Sequence, residues 1–242
     1  LIPLSYSQER IWTIAQFSPD TFVDNVPVAF HISGNLNLQV FEKSVHLLIE
    51  RNEIFRTTCT VRDRQPVQTV MTTFKPWVET IDLSHFSQEE RLERATSQAE
   101  AIARQPFDLS QDVLFRAIVF CLGKQEFLVL LVTHQFATDG LSFRFILQEL
   151  ATLYKAILVG DRSSLLEPNI QYPDFAVWQR QWFSDAIFEP QTTYWKQQLS
   201  GAPTQLKLPI YQSRQFATLD AGCEKFEFSS TLSDKLRELC RR

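Results

Sequence analysis

Residues 128–140 read LVLLVTHQFATDG, an apolar run that ends in a polar cluster. The run is rich in branched residues and is apolar on both faces, a pattern that predicts an interior strand of a sheet. The polar cluster that follows contains His134, Gln135, Asp139 and Gly140. Because α/β folds tend to place their chemistry where strands end, these residues are the first candidates for a functional site.

Asp139 and Gly140 form a common turn pair, and the residues after them predict a helix with Ser142 as its N-cap. The apolar positions that define this helix are Phe145, Ile146, Leu150, Leu153 and Tyr154. Side chains alternate along a strand, so His134 and Gln135 point in opposite directions if the strand persists to its end. Only one of the two can then face a given cavity.

The rest of the chain alternates between strand patterns and helix patterns. Strands are predicted around residues 28–33, 57–61, 67–71, 113–122, 125–133 and 223–229. Helices are predicted around residues 40–48, 88–104, 174–183, 191–199 and 232–240, with a loop at 160–168. This order indicates an α/β fold.

Composition favours an enzyme domain over a nucleic-acid-binding protein. The 242 residues are 44% hydrophobic and 12% aromatic, which is enough for a sizeable core. The formal charge is only −4, and lysine and arginine are scattered, so no basic groove is expected. His31, His46 and His85 lack companions at metal-ligand spacing, so we expect no metal site.

The cysteines and the apolar runs indicate a cytoplasmic protein. Cys59, Cys121, Cys223 and Cys240 show no CxxC spacing and are expected to be free thiols in a reducing compartment. No secretory signal is visible at the first residues, and the run at 127–132 is too short to span a bilayer.

Residues 134–140, HQFATDG, resemble the HHxxxDG signature of the condensation domains of nonribosomal peptide synthetases, with Gln in place of the second His. Three other segments agree with this resemblance. Residues 4–12 (LSYSQERIW) are similar to the opening motif, 51–57 (RNEIFRT) to the RHExLRT motif, and 172–180 (YPDFAVWQR) to the YxDFAxWQ segment. Four motifs in the family's order make the resemblance specific.

The resemblance covers the whole chain but only the first part of the family's pattern. It implies a chloramphenicol acetyltransferase-like α/β sandwich, in which a mixed sheet covered by helices forms one lobe of a two-lobed domain. Residues 1–200 would be the N-terminal lobe, and residues 201–242 the crossover and the start of a truncated C-terminal lobe. We expect an exposed apolar patch at the face that would meet the second lobe.

The same resemblance assigns roles to the two residues at the end of the strand. The second histidine of the family faces the tunnel where a donor thioester and an acceptor amine meet, and this chain has Gln135 there. His134 matches the first histidine, whose side chain is turned toward the structure. A carboxamide can form hydrogen bonds but cannot act as a general base, whereas an imidazole titrates near ~6.5.

Two interpretations of Gln135 stay open. General base assistance is usually worth about 10²–10⁴ in rate, so its loss can cripple the site. Orientation of the reactants can supply roughly 7–11 kcal/mol, and a Gln that binds the amine can keep part of that.

The resemblance also implies a structural role for Asp139, which an arginine would hold so that the loop beneath the catalytic position is fixed. Arg51 is the preferred partner and Arg56 the second choice. Asp139 could instead be an ordinary turn residue, and either arginine a solvated charge at a helix end. Gly140 is expected to permit a backbone geometry or a close approach that a side chain would block.

Three functions are compatible with these motifs. The first is amide-bond formation in natural product biosynthesis, between an acyl thioester and an aminoacyl acceptor that are both carried on phosphopantetheine arms of carrier proteins. No cofactor would be bound directly, and the partners would be peptidyl carrier domains, the C-terminal lobe and neighbouring synthetase domains. The second is a non-catalytic module that binds carrier proteins, and the third a free-standing acyltransferase of the same fold.

Overall fold

The computed structural model describes residues 1–18, 20–160, 168–183, 185–204 and 226–241. The chain divides into two units, Leu1–Ser200 and Gly201–Arg242. The division falls where the sequence predicts the crossover to begin. The assignment of these parts to a lobe and a crossover stays a prediction.

The helices and strands follow the alternating order that the sequence predicts. The strands are β1 (Ile2–Pro3), β2 (Asn25–Ser33), β3 (Thr57–Arg62), β4 (Gln65–Val70), β5 (Trp77–Asp82), β6 (Phe115–Gly123) and β7 (Glu126–His134). The helices of the first unit are α1 (Tyr6–Phe17), α2 (Leu38–Arg51), α3 (Gln88–Ala103), α4 (Ser142–Val159), α5 (Tyr172–Trp182) and α6 (Asp185–Gln198), with a 3₁₀ turn at Glu53–Arg56. The second unit contains α7 (Ser230–Cys240).

The larger sheet has the strand order β2-β7-β6-β5. Strand β7 is antiparallel to both of its neighbours, whereas β5 is parallel to β6, so the sheet is mixed as expected. A smaller antiparallel sheet has the order β1-β4-β3. The interior strand predicted from residues 125–133 is therefore confirmed as β7.

The apolar side chains of β7 alternate between two core layers, as the pleat of a strand requires. Leu130 and Val132 lie in one layer with residues of α1 and α3. Val129 and Leu131 lie in the other layer with residues of α2 and α4. Because helices cover both faces of the sheet, the run needs no polar residue on either side.

Four elements of the described residues have no counterpart in the sequence prediction, namely β1, α1, the 3₁₀ turn and β5, and the start of α6 also differs. Strand β5 was not predicted, because it is an edge strand that pairs only with β6 and most of its side chains are half-buried or exposed. Helix α6 begins at Asp185 and not at residue 191, and it runs through Pro190.

Two further predictions fall wholly or partly on residues that are not described. Residues 161–167 of the predicted loop and 223–225 of the predicted strand lie outside the described part of the chain. The remaining residues of that strand, 226–229, have no strand structure.

The buried stripe of α4 is rotated from the predicted one. Phe143 is buried together with Ile146, Leu150 and Leu153, whereas Phe145 is 67% exposed. Each helical residue advances by about 100°, so residue 143 falls on the stripe of residues 146, 150 and 153 and residue 145 falls outside it. Phe145, one of the apolar positions from which the helix was predicted, therefore does not belong to its buried stripe.

Three of the four cysteines can be described. Cys59, Cys121 and Cys240 are free thiols, as expected, and Cys223 lies outside the described residues. Burial raises the pKa of the Cys59 thiol to about 12, so this thiol is unreactive as a nucleophile at neutral pH. In the described part of the chain, no helix is long and apolar enough to cross a membrane.

The opening motif and the YxDFAxWQ-like segment are in direct contact. The hydroxyl of Ser5, which caps α1, lies 2.9 Å from the hydroxyl of Tyr172. The backbone N–H of Tyr6 donates to the side-chain oxygen of Gln179 at 2.9 Å. Residues that are far apart in the sequence therefore join the start of α1 to α5.

Arg180 completes this contact between α1 and α5. Its Nε donates to the carbonyl of Leu4 at 2.7 Å, and its guanidinium pairs with the carboxylate of Glu9. The same guanidinium lies 3.9 Å from the centre of the Tyr6 ring. The side chain of Arg180 thus forms a charged hydrogen bond, an ion pair and a cation–π contact.

We predict that Arg180→Ala lowers the free energy of unfolding by about 1–3 kcal/mol, because the Leu4 carbonyl and the Tyr6 ring lose their partner. Chemical denaturation measures this change. Arg10→Ala is the matched control, since Arg10 is an exposed arginine of the same motif and helix, and its effect should stay within about 0.5 kcal/mol. Equal effects of the two substitutions would contradict a specific role for Arg180.

Candidate functional site

The end of β7 separates the two residues at the centre of the signature. His134 is the last strand residue and is paired with Asn25 of β2. The next backbone N–H, of Gln135, donates to the carbonyl of Asp24 at 2.8 Å, so the backbone of Gln135 is held at the sheet. His134 is only 4% exposed and Gln135 is exposed. The strand ends at His134, so the alternation predicted for a strand that continues through Gln135 does not apply, and the turn leaves one side chain buried and the other exposed.

His134 is held as a neutral imidazole inside the protein. Its Nδ1 accepts a hydrogen bond from the backbone N–H of Phe136 at 3.1 Å, so the proton of the neutral ring lies on Nε2. The ring packs edge-on against Phe107, with 5.9 Å between ring centres. Burial lowers the pKa of His134 from 6.5 to about 4, while Asp24 opposes this shift and Arg116 adds to it.

The turn after β7 closes on the carbonyl of His134. This carbonyl accepts hydrogen bonds from the backbone N–H groups of Ala137 at 2.8 Å and Thr138 at 3.0 Å. Gln135 therefore sits on a tight turn whose backbone is bonded at both ends, and its side chain extends from a fixed point into open space.

Asp139 caps the helix that follows the turn. Its carboxylate accepts hydrogen bonds from the backbone N–H groups of Leu141 at 3.1 Å and Ser142 at 2.9 Å, and from the Ser142 hydroxyl at 2.7 Å. The hydrogen bond from the Ser142 hydroxyl has the largest effect, and together with the backbone bonds it keeps the pKa of Asp139 below its ordinary value. Ser142 is the first helical residue and Leu141 occupies the N-cap position without a side-chain cap, so the prediction that Ser142 is the N-cap is corrected; Asp139 accepts the N–H of the first helical residue instead.

The arginines predicted to hold Asp139 have other partners. Arg51 Nε lies 3.0 Å from the carboxylate of Glu149 in α4. Arg56 donates to the backbone carbonyls of Met71 at 2.7 Å and Glu50. Within the described residues no arginine is in ion-pair distance of Asp139, so the expected ion pair is absent.

The reason is the orientation of the Asp139 carboxylate, which turns toward its own helix. Arg51 itself is only 9% exposed, so it is not a solvated charge at a helix end. It joins α2 to α4, the helix that follows the signature. Its support of the site through α4 remains a prediction.

Gly140 does not meet the expectation of a close approach. A Cβ placed on this residue would have no atom within 4 Å, and the backbone of Gly140 is not in the left-handed region. Neither crowding nor backbone strain explains the glycine in this structure.

Several groups at the site have no signal in the local sequence. Phe107 packs on the imidazole and the Asp24 carbonyl holds the backbone of Gln135, but both belong to segments distant from the signature. Only Phe136 and Thr138, which lie within the signature, could have been suspected. Leu141 and Phe145, which are 78% and 67% exposed, place large apolar side chains on the surface next to the turn.

Comparison with known proteins identifies the family. A model of the condensation domain matches residues 1–242. Linear gramicidin synthase subunits C and D from Brevibacillus parabrevis are 36% and 37% identical to this chain over 240 and 243 residues. These matches cover 96% and 100% of this chain, which spans only 3% and 5% of the two relatives. The chain belongs to the condensation-domain family of nonribosomal peptide synthetases.

Solved structures show the same fold. The starter condensation domain of rhizomide synthetase RzmA has a TM-score of 0.74 at 21% identity, over 84% of this chain and 48% of that chain. The complex of the X-domain and OxyB from teicoplanin biosynthesis contains a chain with a TM-score of 0.75 at 23% identity, over 88% of this chain and 46% of that chain. The predicted chloramphenicol acetyltransferase-like α/β fold is confirmed.

We predict that the free energy of unfolding falls in mild acid because His134 is buried as a neutral imidazole. The folded pKa of about 4 lies below the unfolded value of 6.5, so the unfolded state binds more protons between these values. The contribution of neutral His134 to the free energy of unfolding is fully present above pH 6.5. It is lost as pH falls toward 4, and the loss amounts to at most about 3 kcal/mol. Unfolding curves measured from pH 7.5 to 4.5 should show this slope.

His134→Asn is the matched control, because its side-chain oxygen can accept from the Phe136 N–H but does not titrate. The variant should lose less stability than the parent over the same pH range. Parallel curves for parent and variant would show that His134 is not the titrating group.

Two double-mutant cycles test which carboxylate is the partner of Arg51. Combining Arg51→Met with Glu149→Gln should give a coupling energy of about 0.5–3 kcal/mol, because the two side chains are in contact. Combining Arg51→Met with Asp139→Asn should give less than about 0.5 kcal/mol, because Asp139 bonds to its own helix. Unfolding free energies measure both couplings, and a larger value for the Asp139 pair would restore the ion pair that the sequence predicted.

Proposed function

We propose that this chain forms half of a site for amide-bond formation in nonribosomal peptide synthesis, and that Gln135 impairs the chemistry. The observation that carries the proposal is the pair at the end of β7: an exposed carboxamide at position 135 beside a buried, neutral imidazole at position 134. The substrates would be a donor acyl thioester and an acceptor aminoacyl group. Both would arrive on phosphopantetheine arms of carrier proteins, with no cofactor bound by the chain.

In this reaction the amine nitrogen attacks the thioester carbonyl carbon, the C–S bond breaks, and the amine proton passes to the departing thiolate. A group near the amine that accepts this proton would help. Gln135 cannot accept it, because a carboxamide is not basic near neutral pH. It can still accept a hydrogen bond from the amine N–H and so orient the nucleophile.

His134 does not replace the missing base. Its Nδ1 already accepts a hydrogen bond from Phe136, and its ring is packed against Phe107. A group whose pKa lies near 4 is also a poor base at neutral pH. Any proton acceptor for the amine would therefore come from outside this pair.

The proposed partners are carrier domains, neighbouring synthetase domains and a second lobe that would complete the tunnel. The matched condensation-domain chain is about twice as long as the part that this chain covers, which supports a second lobe. The small share of the synthetase subunits that is covered supports a module of a larger enzyme over a free-standing acyltransferase. The cytoplasm is the location that we propose, on the strength of the sequence alone.

A second candidate function is a binding module without chemistry. Gln135 favours it, because the expected general base is absent. The structural neighbour from teicoplanin biosynthesis, whose X-domain forms a complex with OxyB, supports the use of this fold to hold a protein partner.

Restoring the imidazole separates the two functions. In the two-lobed protein supplied with loaded donor and acceptor carriers, Gln135→His should raise the rate of amide formation by about 10² or more. The rate should also become pH-dependent, rising with pH around ~6.5 as the new imidazole loses its proton. Product formation followed by mass spectrometry measures both effects.

Gln135→Asn is the control, since it changes the length of the side chain but adds no base, and it should not accelerate the reaction. Efficient condensation by the parent with no gain from histidine would contradict an impaired site. Binding of loaded carrier without condensation by either form would favour the binding module.

A further inference from the structure

Two threonine hydroxyls link the end of β7 to the end of the turn that carries Gln135. Thr133 Oγ1 and Thr138 Oγ1 lie 2.6 Å apart, and the two residues are 0% and 7% exposed. Thr138 Oγ1 also lies 3.3 Å from the backbone carbonyl of His134. Water is therefore excluded from a hydrogen bond that closes the loop at residues 133–138.

Either hydroxyl can donate in the bond between the two threonines, and Thr138 can also donate to the His134 carbonyl. A carbonyl oxygen only accepts, and each hydroxyl has one proton to donate. When Thr138 donates to the His134 carbonyl, Thr133 supplies the proton of the bond between the two hydroxyls. In that arrangement each buried hydroxyl donates once, so neither proton is left without an acceptor.

We propose that Thr133 and Thr138 are positioning residues that hold the side chain at position 135 where the reacting groups meet. The inference rests on the proposed function of the site. The backbone bonds at Asp24 and His134 hold the start of the turn, and the hydroxyl pair fixes its end to a strand that is packed on both sides. A displacement of about 1 Å at such a site can lower a rate about 10²-fold.

Valine at both positions distinguishes positioning from stability. A single Thr→Val change leaves the other hydroxyl buried without its partner and destabilises the protein, whereas replacing both partners by apolar groups of similar shape can be nearly neutral. The double variant Thr133→Val/Thr138→Val therefore removes the link while the fold is kept. Thr138→Ser keeps the hydroxyl and serves as the rescue.

The experiment uses the two-lobed protein, in the parent form and with Gln135→His. Hydrogen exchange at the amides of Ala137 and Thr138 reports on the turn, and steady-state kinetics with loaded carriers report on the reaction. For the double valine variant we expect an unfolding midpoint close to that of the parent and exchange about tenfold faster at both amides. We also expect kcat to fall about 10- to 10²-fold with KM unchanged. Thr138→Ser should match the parent in both readouts.

Each other outcome has a defined meaning. Unchanged exchange in the double variant would overturn the proposal, because the pair would then not hold the turn. Faster exchange with unchanged kcat would overturn it as well, since the link would be structural only. If neither residue-135 form condenses, the proposed function fails, and exchange alone decides whether the hydroxyl pair holds the turn.

Discussion

The neutral imidazole of His134 is the constraint on which the end of β7 depends. Its Nδ1 can accept the Phe136 N–H only while the ring is uncharged, and a protonated ring would be repelled by the nearby Arg116. Burial disfavours that charge strongly enough to keep the ring neutral well below physiological pH. The turn after β7 closes on the backbone carbonyl of the same residue, and Gln135 is exposed directly beside it.

This arrangement divides two tasks between neighbouring residues. Position 134 faces the core and supports the backbone, and position 135 faces outward from a fixed turn. Because the imidazole is buried, bonded to the Phe136 N–H and packed against Phe107, it cannot serve the outer face. The carboxamide at position 135 can therefore form hydrogen bonds and orient a bound group, but it cannot act as a base.

Partly buried arginines connect the motifs over long distances in the sequence. Arg180 ties α5 to the opening residues of α1, and Arg51 ties the end of α2 to Glu149 in α4. Such partners are invisible in a local pattern, because an arginine in a motif gives its charge but not the residue that meets it. Arg51 thus pairs with Glu149 and not with Asp139, the partner that the sequence predicts.

The sequence by itself determined the interior strand, the residue at position 135 and the order of the four motifs, because these depend on residue types and on the period of side chains along one segment. It also predicted that His134 and Gln135 would face different surroundings. Only the tertiary structure decided that Asp139 caps its own helix and that Phe143, not Phe145, enters the core. The bonds of Asp139 are local, but the sequence allows them as well as an ion pair with a distant arginine, and only the structure shows which one forms. The burial of Phe143 depends on how α4 packs against α2 and the sheet, which the local pattern does not specify.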